Sequence, residues 1–139
     1  MGDATRSRYA RYVVTDLPKF EKAPGHHSPP PSWIYPDIFP GISMRINGTD
    51  VSRIVRDPHA DPHVHEDHPE IYLAVTGTRG DIVIEVQMEE EKFTVESPFA
   101  VFIPPGVRHC FTVLKCDSPN YVFGIHVLDY KRWPEGKKI

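Results

Sequence analysis

The sequence predicts an all-β barrel or sandwich, and three observations carry that reading. From about Trp33 onward, eight short segments rich in β-branched and aromatic residues follow one another, each bounded by Gly, Pro, Asn or Asp. Proline occurs 15 times in 139 residues, about twice average usage, which disfavours long helices and suits short strands joined by stiff turns. No segment holds a 3.6-residue apolar period.

A chain of 139 residues is one domain with room for a single substantial core. Its apolar fraction of 40% and charged fraction of 25% are those of a soluble globular protein. A net charge of -3 argues against a nucleic-acid or anionic-membrane partner, which calls for a basic stripe. No run of 18 apolar residues is present to span a membrane. Residues 1–6 lack the apolar segment of a secretory signal, and Arg6 stands where a myristoylation motif needs Ser or Thr, so a cytoplasmic location is expected. Two cysteines, Cys110 and Cys116, do not make a disulfide framework.

Taken in order, residues 1–35 read as an arm. Within it, 11–15 can form one strand, and 23–31 is a polyproline-like linker whose His26 and His27 belong in solvent. A strand at 9–15 can add to the open sheet edge of a second copy, so a homodimer is expected. Residues 36–130 hold the strand candidates: 42–46, 51–56, 70–76, 81–88, 92–96, 99–103, 109–115 and 121–128. Asn47-Gly48 reads as a hairpin turn, and Glu89-Glu90-Glu91 as a solvated one. The polar tail, 131–139, is expected on the surface.

The chemistry concentrates in Asp61-Pro62-His63-Val64-His65-Glu66-Asp67-His68-Pro69-Glu70. A zincin helix fails there, because the second His would fall on position 69, which is proline. On a strand, His63 and His65 point to one face, roughly 7 Å apart along the backbone, close enough for both rings to reach one ion at about 2.0–2.2 Å. Glu70 adds an anionic oxygen. Downstream, Pro104-Pro105-Gly106 is a tight turn in which Pro105 presets φ and Gly106 takes φ > 0. That turn aims His109 inward, with Phe111 and Val113 on the same face.

With these residues in hand, the sequence resembles the cupin superfamily. The first cupin motif corresponds to His63, His65, Glu70 and Gly77, and the second to Pro104, Gly106 and His109. The resemblance covers roughly residues 36–130. It implies a small double-stranded β-helix (jelly-roll) barrel in which His63, His65, Glu70 and His109 bind one metal ion. Asp57 and Pro98 stand where the motifs usually begin with Gly, and Val113 replaces a usual Asn; none is a ligand in the family.

Other candidates flank this set. Tyr72, two residues past Glu70, should share its inward face; some cupin lyases use a Tyr at the matching position, which makes Tyr72 the candidate acid/base. His59 and His68 are expected at the surface or rim, or behind the ligands, rather than among them. His126 reads as core or rim. Arg45, Arg53 and Arg56 fall on early strands, as a solvated face or as a clamp for a carboxylate or phosphate. Cys110 should alternate away from the His109 face.

Three imidazoles and a carboxylate suit Fe(II), Mn, Ni, Co, Cu or Zn, and the resemblance favours Fe(II). An apolar interior of Tyr72, Ala74, Phe111 and Val113 suits a small organic molecule that chelates through oxygen. The breadth of oxygenase chemistry among cupins makes an Fe(II)-type oxygenase the expected function. The alternatives are a non-oxidative isomerase, cyclase, decarboxylase or lyase in which Tyr72 moves protons, and a non-enzymatic binding barrel.

Overall fold

The computed structural model describes residues 7–16, 19, 20, 32, 33, 39 and 41–131. Nine strands are formed among them: β1 (Lys19–Phe20), β2 (Ser32–Trp33), β3 (Met44–Asp50), β4 (Glu70–Ala74), β5 (Ile82–Met88), β6 (Glu91–Glu96), β7 (Phe99–Ile103), β8 (His109–Cys116) and β9 (Tyr121–Val127). They make two antiparallel sheets, one of six strands in the order β1-β2-β3-β9-β4-β7 and one of three in the order β6-β5-β8. No helix is long and apolar enough to cross a membrane.

Alternation decides which side chains go inside. In β4 the residues Glu70, Tyr72 and Ala74 are buried while Ile71 and Leu73 are half-exposed, and in β5 Ile82, Ile84 and Val86 are buried in the same rhythm. The core takes Tyr72, Ala74, Ile103 and Val122 from the six-stranded sheet. It takes Ile82, Ile84, Val86, Phe111, Val113 and Cys116 from the smaller one. Burial of such side chains contributes about 1.5–3 kcal/mol each.

Strands β4 to β9 fall within a few residues of the segments expected from composition. Three other expectations are corrected. Asn47-Gly48 is not a turn, because β3 runs through it, paired with β9 from Met44↔Val127 to Asp50↔Tyr121. A seven-residue ladder outweighs one favourable local turn. Residues 51–56 are not a strand, since Val51–Arg53 is a 3-10 turn. The Asp50 carboxylate caps that turn, accepting from the Ser52 N–H at 3.1 Å and the Ser52 hydroxyl at 2.7 Å. Residues 9–15 do not form a strand in the single chain either: Ala10–Tyr12 is a 3-10 turn with no buried residue. The linker at 23–31, with His26 and His27, and the tail beyond Lys131 lie outside the described residues.

Between the 3-10 turn and β4 the chain crosses β8, touching it at Val55↔Val113, Pro58↔Thr112 and His63↔His109. This crossing carries the histidine-rich stretch from the smaller sheet to the larger, and the candidate site forms where it lands.

Candidate metal centre

Each residue of the site is set by a backbone feature. His63 is bridged to His109 by two main-chain hydrogen bonds, His63 N–H to His109 O at 3.1 Å and His109 N–H to His63 O at 2.9 Å. His63 and His65 are not in a full ladder, but that one bridge keeps the chain extended enough to put their rings together, with centroids 4.9 Å apart. The turn after β7 places His109. Gly106 has φ +79°, Val107 N–H returns to Pro104 O at 3.4 Å, and Gly106 N–H is held by His65 O at 2.8 Å. The φ > 0 position of this turn needs a glycine.

Glu70 opens β4 directly opposite His126 of β9. Its carboxylate is buried, with Oε1 3.0 Å from His109 Nε2 and 3.5 Å from His65 Nε2. Oε2 lies 3.1 Å from His126 Nε2. Burial alone would raise the Glu70 carboxyl, yet the ring nitrogens of His109, His126 and His65 around it together outweigh it and hold the group well below the usual carboxylate range. Gly124 makes this position possible, since a Cβ there would lie 2.6 Å from Oε2.

The ligand atoms of His63, His65, Glu70 and His109 all lie within 4.8 Å of one another. This span fits one ion with bonds of about 2.0–2.2 Å. Hydrogen bonding also orients the rings for it. His63 Nδ1 donates to Asp61 O and His109 Nδ1 to Val107 O, each at 2.8 Å, which turns both Nε2 lone pairs inward. His65 Nε2 is buried without a hydrogen-bond partner. In a neutral His109 ring, Nε2 would face Glu70 Oε1 lone pair to lone pair, and only a proton or a cation can stand in such a contact. The four residues therefore fit a divalent transition ion.

Tyr72 lies two residues along β4, 1% exposed. Its ring meets His59, Phe111 and His109 with centroids 5.8, 4.9 and 6.0 Å away. Its hydroxyl is buried and without a partner. Burial, reinforced by the Glu70 charge, pushes the phenol well above its ordinary value. His59 is buried rather than on the surface. It stacks on Phe111 at 4.0 Å and 6°, and its Nδ1 accepts the Phe111 N–H at 3.1 Å, with Phe111 O 3.2 Å from the same nitrogen.

The arginines do not enter. Arg45 and Arg56 are exposed, and Arg53 pairs with Asp50 at 3.6 Å with 57% of its side chain in solvent. Cys110 is buried and its thiol is raised by that burial. His126 is core, as the sequence suggests, but it is also bonded to Glu70, and His68 at the rim reaches His126 at 3.0 Å. Sequence reasoning misses that pairing across 58 positions, and misses Gly124. A glycine inside an apolar strand is the one local sign of close approach.

No family model matches the sequence, and no curated protein matches it. Among solved structures the chain is similar to a cupin protein from Bacteroides fragilis, with TM-score 0.57 and 14% identity over 91% of this chain and 98% of that one. It is similar to KdgF from a Halomonas species, with TM-score 0.54 and 20% identity over 84% and 90%. A Streptomyces PAC13 structure with uridine gives TM-score 0.58 and 12% identity over 86% and 81%. Joined to the two antiparallel sheets and the scarcity of helix among the described residues, these likenesses identify the fold, a barrel of the cupin type.

Proposed function

We propose that this chain is a metal-dependent enzyme that moves a proton on a small oxygen-chelating molecule without oxidising it, as an isomerase, cyclase, decarboxylase or lyase does. His63, His65, Glu70 and His109 would hold one divalent transition ion, and Tyr72 would be the acid. The carrying observation is the Tyr72 hydroxyl, buried and unpartnered on the same strand face as Glu70. An unpaired buried hydroxyl costs about 1–3 kcal/mol, which a substrate oxygen would recover. When bound, the ion supplies Lewis acidity toward a carbonyl or enolate oxygen.

The residues around it define the rest. Raised by burial in the metal-free chain, Tyr72 stands there as a phenol, and as a hydrogen-bond donor it would hold a substrate oxygen rather than act as a phenolate base. Phe111, Val113 and Ala74, all buried, offer an apolar wall to the body of the molecule and keep water from the hydroxyl. Three imidazoles and one carboxylate also suit an Fe(II)-type oxygenase, and that donor set is what supports the second reading.

The test offers Fe(II)-, Mn(II)- and Zn(II)-loaded protein a panel of small hydroxy acids and diketones in deuterated buffer. Carbon-bound deuterium is followed by NMR and oxygen uptake by electrode. Solvent deuterium should enter the substrate or product without oxygen uptake, and Tyr72→Phe should slow this about 10²–10⁴-fold at unchanged metal content. Oxygen consumed in step with substrate, with no deuterium incorporated, would replace this reading with the oxygenase. Retention of intact ligand with neither signal would make the chain a binding barrel.

A further inference from the structure

We infer that the barrel has a second cation site beside the first, formed by His68 and His126 with His65 as the shared third ligand, and suited to a borderline transition ion such as Zn(II), Co(II), Ni(II) or Cu(II). The ligand atoms of these three histidines also fall within 4.8 Å of one another. Their hydrogen bonding has the pattern of ligated histidines, in which the nitrogen away from the metal donates to a carboxylate or carbonyl. His68 Nδ1 is 2.7 Å from Asp67 Oδ1, and His126 Nε2 is 3.4 Å from Asn47 Nδ2 and 3.1 Å from Glu70 Oε2, of which the nearer carboxylate, only an acceptor, makes that nitrogen the donor. With both outer nitrogens committed as donors, His68 Nε2 and His126 Nδ1 face each other at 3.0 Å. In neutral rings both would be lone pairs, and the contact calls for a proton or a metal cation between them.

The spacing is close to what a shared ion needs. Two bonds of about 2.0–2.1 Å span 3.0 Å at an angle near 90°, and opening the pair by a few tenths of an ångström reaches the tetrahedral value. Softness agrees, since an all-imidazole set favours Zn, Cu, Ni and Co over Mg or Ca. The pair also meets solvent, because the Asp67 side chain bonded to His68 is 90% exposed. Glu70 joins the two sites, with Oε1 directed to His109 and His65 and Oε2 to His126. His65 is the member common to both; a neutral ring has one lone pair, so with both ions bound it would bridge through its two nitrogens as the imidazolate, its N–H proton released to solvent.

The two sites share His65, but His68 and His126 belong to the second set and His63 and His109 to the first, so the experiment lets either site fail alone. The full chain is dialysed to equilibrium against Zn(II), and bound metal is counted by mass spectrometry. Co(II) absorption serves as a second readout, and circular dichroism confirms folding. Wild type should bind two ions per chain, and His68→Ala and His109→Ala one each. If His68→Ala unfolds, His68→Gln replaces it, because the amide fills the same space without an imidazole. One ion in wild type, kept by His68→Ala and lost by His109→Ala, overturns the second site and leaves the first. One ion lost by His68→Ala and kept by His109→Ala retains the second site and removes the first. Two ions still bound by the His68 variant overturn the inference, and no bound ion overturns both sites.

Discussion

Replacing Gly124 with alanine should damage the centre from a strand that contributes none of its first four ligands. The backbone of Gly124 is not left-handed, so the substitution tests space alone. A Cβ would lie 2.6 Å from Glu70 Oε2, where ordinary contact begins at 3.4 Å, so the carboxylate must withdraw by roughly 0.8 Å. A free carboxylate would swing away at little cost, but this one is bonded at both oxygens, to His109 at 3.0 Å and His126 at 3.1 Å. Withdrawal by that distance takes the His126 contact past hydrogen-bond range. A charge-assisted bond contributes about 1.5–3 kcal/mol, so for a domain of this size the melting temperature should fall by roughly 5–12 °C. Loss of ligand orientation should weaken metal binding about 10–100-fold. Thermal melts of the metal-free chain and chelator competition with Zn(II) measure the two effects separately. A variant that melts and binds like wild type would show that Glu70 does not lie against β9.

Three further outcomes follow from the same geometry. His59→Leu fills similar space but leaves the Phe111 N–H, now 3.1 Å from His59 Nδ1, without its acceptor; urea unfolding should show a loss of about 1–3 kcal/mol, and an unchanged midpoint would deny that bond. Adding Zn(II) should stabilise the chain by about 2.7 kcal/mol per filled site at 100 times Kd, reversibly with chelator, by one site's worth in a His63→Ala, His109→Ala double variant and not at all once His68→Ala is added; equal stabilisation of the triple variant would point to binding elsewhere. Acid should destabilise the metal-free chain in two stages. Burial lowers His63 below its ordinary 6.5, so its contribution is complete above that pH and declines as pH falls toward the folded value. Glu70, held well below 4.5, contributes fully above that value and loses its contribution as pH falls further. Stability that rises on acidification from about pH 7 to 5 would contradict the His63 sign, and a rise from about pH 4.5 downward the Glu70 sign.

The parts of the fold and site that depend on short-range pattern were legible in the sequence. Alternation in 70–74 and 82–88 names the inward residues because a strand alternates by geometry, and the Pro104-Pro105-Gly106 turn names itself because only certain residues take its dihedrals. His63, His65, Glu70 and His109 could be grouped for the same reason, each beginning or ending a recognisable segment. What was not legible depended on distant chain. Asn47-Gly48 has the composition of a turn and lies in β3 because β9 pairs with it, nearly eighty positions away. His126 looks like any histidine on an apolar strand until the β4–β9 register sets it against Glu70. His59 looks like a loop residue until β8 brings Phe111 under its ring.

Glu70 explains why these distant pieces converge. A carboxylate offers two acceptor oxygens about a shared axis, and here they face different partners, Oε1 toward His109 and His65 and Oε2 toward His126. An amide of the same shape would present one donor, and could not accept on both sides. Holding a buried anion in that orientation requires donors on each side and room behind it. The β4–β9 register provides His126 on one side, and the His63↔His109 bridge aligns the rings on the other. Gly124 leaves the space that any side chain would fill. The same carboxylate thus sets the spacing of the ligand cluster and reaches, through His126, the rim histidine His68. A change at any of these contacts should be felt at all of them, because the oxygen atoms they share belong to one rigid group.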